Sequence, residues 1–276
     1  LEIRPSWVKV QRLSYEEVEA HLDQTPFKQL YQVAQTIQAR RRANGEISID
    51  LPEVKIRVID GEVVIKPLPS LRSRDLVREA MLAAGEAVAR FAARQGIPFP
   101  FTTQDAPEPN DFPDTIAGHF ARRLTLRRSQ LTSMPGPHAG LGLEIYTKAT
   151  SPLRRYSDLV VHQQLRAYLQ GTRLLDTQQI LERVGAAEAV EGDVRRAERL
   201  SRQHWTLVYL MRRPDWHGQG VVLEKRGPRS LILIPELDLE TQLHLREDLP
   251  PDSTVALKLN RVNLAELDAH FRIATE

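Results

Sequence analysis

Residues 136–165 read GPHAGLGLEIYTKATSPLRRYSDLVVHQQL. The part that follows Thr150 predicts a helix, with Ser151 as its cap, Pro152 in the first turn and Gly171 as its stop. Arg154 and Arg155 then fall on the first turn. The helix macrodipole leaves about half a positive charge there, so each cation costs about 0.3–1 kcal/mol unless an anion answers it. The free backbone N–H groups of a helix start already attract anions. With the Ser151 hydroxyl as a donor and Arg154 as a planar fork, the same place becomes a phosphate cradle, each charge-assisted hydrogen bond contributing about 1.5–3 kcal/mol. The alternative is that Arg154 pairs with Asp158, four residues on, and does nothing else. One aspartate cannot readily satisfy both arginines, and at the level of residues the two readings stand side by side.

The rest of the composition bounds the chemistry. The chain has 276 residues, 41% of them hydrophobic and 27% charged, which is the balance of an ordinary globular protein. That length suffices for one large domain or for a large and a small one. No apolar run is long enough to cross a bilayer as a helix. A formal net charge of +2 is too small to argue for a polyanion partner, so local clusters must carry any such claim. There is no cysteine, which excludes disulfides, thiolate nucleophiles and cysteine-ligated zinc, and which fits a cytoplasmic enzyme. The opening LEIRPSWVKVQRL lacks the pattern of a secretory signal. Its Leu1, Ile3, Val8 and Val10 alternate approximately, interrupted by Pro5 and Trp7, and predict a strand whose sheet lies elsewhere. The expectation from this is a fragment of a longer protein.

Working along the chain, Ser14 and Glu17 form a capping box for a short helix. TPFKQLYQVAQTIQARRRANG predicts a second, with Thr25 as cap, Pro26 at the first helical position, Gly45 at the end, and Phe27, Leu30, Val33, Ala34 and Ile37 on one face. Its basic Arg40–Arg42 suit the C-terminal end of a dipole. Strands surround a tight turn at Asp60-Gly61, and a helix capped by Ser73 runs to Gly96. FTTQDAPEPNDFPD reads as a surface loop, and its acids Asp105, Glu108, Asp111 and Asp114 lack the spacing and glycine of a calcium loop. FARRLTLRRSQL predicts a helix with Arg123 and Arg127 as neighbours on one face, either turned to a polyanion or simply solvated. AERLSRQHWTLVYLMRR predicts a long helix that buries Leu200, Trp205 or Leu207, Val208 and Met211 and ends at Pro214. Beyond it, short strands punctuated by Gly and Pro suggest a small barrel of the OB type.

The quoted stretch also resembles the signature of the ribonuclease II/ribonuclease R (RNB) family, which passes from a Gly-His-Phe-Gly-Leu-like segment into Tyr, Thr-Ser-Pro-Ile-Arg-Arg-Tyr, Asp-Leu and His. Weaker correspondences include LSYEEV, LVREAMLAA and the terminal barrel. The resemblance implies an α/β fold of the α+β type, with the C-terminal portion of a mixed-sheet RNB-like catalytic core over residues 1–213 and an RNA-binding OB barrel over 214–276. It further implies processive 3′-to-5′ hydrolysis of single-stranded RNA to nucleoside monophosphates with magnesium. Carried over residue by residue, Arg154 matches a catalytic arginine that holds the scissile phosphate. Tyr15 matches a tyrosine contacting the 3′-terminal nucleotide, and Glu198 aligns with a glutamate near the end of the RNA channel. His138 and Arg155 are expected to shape the channel, a packing role for His138 being the alternative, and Ser151 to bind substrate.

There are departures from the family pattern. The aspartate cluster that holds the family's metal, and a tyrosine that clamps the terminal base, are absent from this sequence, so magnesium ligands are expected outside it, on a missing N-terminal portion. The family's stacking aromatic corresponds to Ile49 or Ser48, and a substrate-contacting glutamate to Arg78. An aliphatic side chain forfeits part of the stacking worth about 1–3 kcal/mol per base. A catalytically inactive RNA-binding protein is the second reading, and an interaction module with acidic partners the third.

Overall fold

In the computed structural model, residues 7–245 and 247–274 are described. They form six α-helices and nine strands, gathered into two compact units. The predicted opening strand is not borne out where it can be seen. Leu1 and Ile3 lie outside the described residues, while Val8 and Val10 are exposed and belong to no strand. Alternation stabilises a strand only when a neighbouring strand takes up its backbone groups, and none does so here among the described residues.

The first unit takes in the described residues up to Ile47, then Ser70–Pro107 and Leu126–Glu191. Helix α1 (Tyr15–Ala20) starts at the predicted box: the Glu17 N–H donates to Ser14 Oγ at 3.2 Å, and the Ser14 N–H donates to the Glu17 carboxylate at 2.6 Å. Helix α2 (Phe27–Ala43) starts one residue later than expected. Thr25 does not cap it; its hydroxyl instead accepts a hydrogen bond from the Gln29 side chain at 2.9 Å. Of the predicted face, Ala34 is buried but Leu30 and Val33 are exposed.

Helix α3 (Arg72–Gln95) has Ser73 inside it rather than at its cap. The orphan N–H of Ser73 donates to the Glu19 carboxylate at 2.8 Å, and Arg72 donates to the same carboxylate, so α1 caps α3. A distant carboxylate thus does what a local hydroxyl was expected to do, and its charge suits the positive end of the helix dipole. Strands β3 (Phe101–Thr103) and β4 (Gln130–Thr132) pair antiparallel. Phe101 and Thr102 are buried, so the predicted surface loop begins only after them. Helix α5 (Tyr156–Leu169) packs Val161 with Ala89, Ala92, Phe99, Phe101 and Ile145 in one core cluster. A second cluster joins Val160 to Ile180 and Val184 of helix α6 (Thr177–Met211).

The second unit takes in Ser48–Pro69, Glu108–Thr125 and Gly192–Glu276, masked residues excepted. Strands β1 (Val54–Ile59) and β2 (Glu62–Pro67) form the predicted hairpin, and Asp60 and Gly61 both take positive φ, as a type I′ turn requires. Helix α4 (Ile116–Thr125) stops at Thr125, so Arg127 and Arg128 are beyond it and the expected Arg123/Arg127 pair on one face does not form. Arg122 is spent on the carbonyls of Phe112 and Ser48, and Arg123 on Glu240 at 3.0 Å. The C-terminal end of α6 buries Leu207, Val208 and Leu210, whereas Leu200 and Met211 are exposed.

Strands β5 (His217–Arg226), β6 (Arg229–Ile234), β7 (Leu239–Leu243), β8 (Thr254–Asn263) and β9 (Asp268–Ile273) form an antiparallel sheet in the order β7-β6-β5-β8-β9. Its two edges, β7 and β9, lie against each other, giving a nearly closed barrel of the expected kind. The bulges after Val222 and Leu259 supply the bending that closure needs. Its core includes Trp216, Val222, Ile232, Leu257 and Phe271. At Gly220 an added Cβ would stand 2.5 Å from Ile232, so this strand can approach its neighbours only without a side chain. The mixed helix-and-sheet class with a terminal barrel therefore stands.

Candidate functional site

The Ser151–Tyr156 segment does not open as a helix. Pro152–Arg154 form a turn, Arg155 is the helix cap, and α5 begins at Tyr156. The Ser151 carbonyl accepts the backbone N–H groups of Arg154 at 3.2 Å and Arg155 at 3.0 Å. Asp158, in the first turn and fully buried, closes this turn from the other side. Its Oδ2 accepts the Ser151 N–H at 2.8 Å and the Arg155 Nε and Nη2 at 3.1 and 2.6 Å, while Oδ1 accepts from the Ser157 hydroxyl at 3.1 Å.

Ser151 is therefore not the helix cap, and its hydroxyl has no hydrogen-bond partner among the described residues. The carboxylate expected as an alternative partner of Arg154 is taken by Arg155, three residues before it. A later helix start moves Arg155 onto the acid and turns Arg154 away. The Arg154 side chain is exposed, with no hydrogen bond or ion pair among the described residues. Tyr156 is also exposed, and with Glu182, Arg183, Ala186 and Ala187 it lines a shallow open groove on this unit.

His138 is buried, and its ring meets the Tyr146 ring edge-on at 5.9 Å between centroids. Burial pushes its pKa down to about 4, so the ring is neutral near pH 7. Its Nδ1 is buried with no hydrogen-bond partner among the described residues. A neutral, enclosed imidazole favours the packing role over contact with a substrate. Tyr146 is a residue that the sequence reading passed over. Burial pushes its phenol up, against the fields of Arg155 and Arg41. Its ring leaves no room at Gly85 of α3, where an added Cβ would come within 2.4 Å of Cε2.

Tyr15 opens α1, half-exposed, with the Arg74 guanidinium 4.7 Å from its ring centroid. Its carbonyl accepts the Ser73 hydroxyl at 2.8 Å, which fixes the backbone that presents it. Arg78, at the family's glutamate position, is engaged by Asp75 at 3.0 Å and Glu79 at 3.3 Å. Glu198 is exposed on the stretch of α6 that belongs to the second unit, as do Ser48 and Ile49. Tyr15, His138, Ser151, Arg154 and Arg155 all belong to the first.

Arg41 goes furthest beyond its sequence reading. It does lie in the last turn of α2, where a cation suits the dipole, but it is also buried, donating to Glu79, to Glu46 and to the carbonyl of Leu141. Burial alone would lower its pKa, but the Glu79 and Glu46 carboxylates outweigh that and raise it. The 3-10 turn Ala139–Leu141, just after His138, is thereby tied to α2 and α3. No local pattern marks this, because the partner carboxylates lie on other elements or beyond the helix end.

No group of three or more His, Asp or Glu side chains able to hold a metal exists among the described residues. The described residues thus offer no ligand set that fits the magnesium implied by the family resemblance, and no chemical step is derived through it.

Residues 1–119 and 116–171 match the RNB domain. The chain belongs to the RNB family. Residues 216–274 of this RNB chain match the RNase II-type exonuclease C-terminal S1 domain, which is the five-stranded barrel. An uncharacterized ribonuclease of Synechocystis is 34% identical over 287 residues, covering 98% of this chain but 43% of that protein. The chain thus spans less than half of that relative's length. The fold is shared with Mycoplasma genitalium RNase R, solved with ribose-methylated single-stranded RNA: the TM-score is 0.78 at 17% identity, over 95% of this chain and 53% of that one. It is also shared, over 84% of this chain and 35% of the other, with yeast Ssd1, described as a pseudonuclease, at a TM-score of 0.64 and 18% identity.

Proposed function

We propose that this chain is the part of a 3′-to-5′ exoribonuclease that grips single-stranded RNA and presents Arg154 to the scissile phosphate. The observation that carries the reading is the contrast between two neighbouring arginines: Arg155 is neutralised by Asp158, while Arg154 stands in solvent with no partner among the described residues. A free guanidinium is the fork that a phosphodiester fills with paired charge-assisted hydrogen bonds. The Ser151 hydroxyl is the adjoining donor, Tyr15 and the groove at Tyr156 are the surfaces on which bases stack, and Arg155 holds the turn. The catalytic portion extends to residue 213 and the barrel, from 214, adds a second grip on the strand. Glu198 contacts the strand from α6. Magnesium, if the reaction uses it, is held by residues outside this sequence, on an N-terminal portion bearing aspartates.

The test is binding of a fluorescent single-stranded RNA to the 276-residue chain. Arg154→Ala should weaken binding about tenfold, equivalent to about 1.4 kcal/mol. Combined with a polypeptide that supplies the aspartate cluster, the chain should release mononucleotides from the 3′ end, and the same substitution should reduce turnover much more than affinity. Unchanged turnover would remove the role assigned to Arg154.

The second reading, an RNA-binding protein without catalysis, draws on the likeness to a pseudonuclease. It predicts salt-dependent RNA binding with no products under any metal condition, even with the aspartate-bearing polypeptide present.

A further inference from the structure

We infer that Asp158 positions Arg154 for its phosphodiester anion, an inference that rests on the RNA reading above. The Arg154 turn is held at both flanks by this one carboxylate. On one side Oδ2 accepts the Ser151 N–H at 2.8 Å, and on the other it accepts the Arg155 guanidinium at 2.6 and 3.1 Å. Between them, the Arg154 and Arg155 N–H groups both point to the Ser151 carbonyl. The backbone that carries Arg154 is thus closed before a ligand arrives. Less freedom is then lost on binding, which is how preorganisation raises affinity.

The charge arrangement has the same effect. Arg155 occupies the only carboxylate in the first turn of α5, so the Arg154 guanidinium is left without a carboxylate partner among the described residues. Had the acid faced Arg154, the guanidinium would already be neutralised and any phosphate would have to displace it. Asp158 itself has no exposed surface and its second oxygen is engaged by Ser157. It therefore reaches the anion only through Arg154, as a positioning residue and not a catalytic one.

If the carboxylate merely stabilised α5, its removal would lower the melting temperature while its effect on RNA binding stayed independent of Arg154. A double-mutant cycle separates the two roles. Wild type, Arg154→Ala, Asp158→Asn and the double variant of the 276-residue chain are titrated with a 5′-fluorescent single-stranded oligoribonucleotide at one fixed salt concentration, and each is melted. Arg154→Ala is expected to weaken binding about tenfold, and Asp158→Asn about three- to tenfold. The double variant should lie within about twofold of Arg154→Ala, because the aspartate has nothing left to position. Should Asp158→Asn fail to melt cooperatively, Asp158→Glu keeps the charge but displaces it by one methylene, and its cycle is judged by the same criterion. Losses that multiply, or an Asp158 variant with wild-type affinity, overturn the inference while leaving Arg154 as an RNA contact. An Arg154→Ala protein with undiminished affinity overturns the RNA reading itself, and the inference with it.

Discussion

Arg41 and Glu79 meet through two hydrogen bonds of 2.7 and 2.8 Å, with each side chain only 1% exposed. The same guanidinium reaches Glu46 and the Leu141 carbonyl, each at 2.7 Å. One arginine therefore joins α2, α3 and the turn that follows His138. At Gly142, φ is +63°, and an added Cβ would stand 2.3 Å from the Arg41 carbonyl, so backbone and side chain are both closely engaged.

Removing one member of a buried ion pair leaves an uncompensated charge and costs about 3–5 kcal/mol, whereas replacing both members with apolar residues of similar volume is much milder. Arg41→Met should accordingly shift the urea midpoint strongly downward, because Glu79 and Glu46 lose their common partner. Arg41→Met combined with Glu79→Met should be less destabilised than the sum of the two single changes by about 1–3 kcal/mol. Strict additivity in the urea titrations would mean that the pair contributes nothing beyond its separate packing.

His138 makes the protein sensitive to acid in a definite window. Its folded pKa of about 4 lies below the ordinary histidine value of 6.5, so the unfolded chain binds the proton more readily. The associated stability is fully present above pH 6.5 and is lost as pH falls toward 4, an effect on the order of 3 kcal/mol across the whole window. His138→Gln cannot titrate there, so its melting temperature should fall less than that of wild type between pH 7 and pH 5. Parallel melting curves for the two proteins over that range would remove the imidazole from the account.

Gly85 sets helix propensity against packing. In a helix interior Ala is favoured over Gly by about 1 kcal/mol. Here, however, the added methyl would stand 2.4 Å from the Tyr146 ring and 2.5 Å from the Thr147 carbonyl, and overpacking costs about 1–3 kcal/mol. The backbone carbonyl cannot yield as a flexible side chain does, so the clash should win and Gly85→Ala should lower the melting temperature. A stabilised variant would show that the segment carrying Tyr146 can move away from α3.

Several features were legible because all their parts lie within a few residues. The Ser14–Glu17 box and the Asp60-Gly61 turn depend on groups that are neighbours in any chain that adopts them. The barrel was readable from short strands and their punctuation, and the RNB signature from its intact spacing. The misreadings share a different cause. Thr25 and Ser73 looked like caps, but the N–H of Ser73 found a carboxylate 54 residues earlier, in Glu19. Arg41 sits at the dipole end that its sequence suggests, but its burial depends on partners the local pattern does not show: Glu79 is 38 residues away and Leu141 is 100. Arg127 lies two residues beyond the end of the helix that its spacing from Arg123 predicts.

The amino-acid order alone determined the family, the mixed class with its terminal barrel, and the presence of two adjacent arginines before a helix. Only the folded chain decided which of those arginines is left for a ligand. A carboxylate pairs with whichever guanidinium the helix start places beside it. That start is set by where Asp158 can be buried while still reaching the Ser151 N–H, a condition of packing that no local pattern expresses.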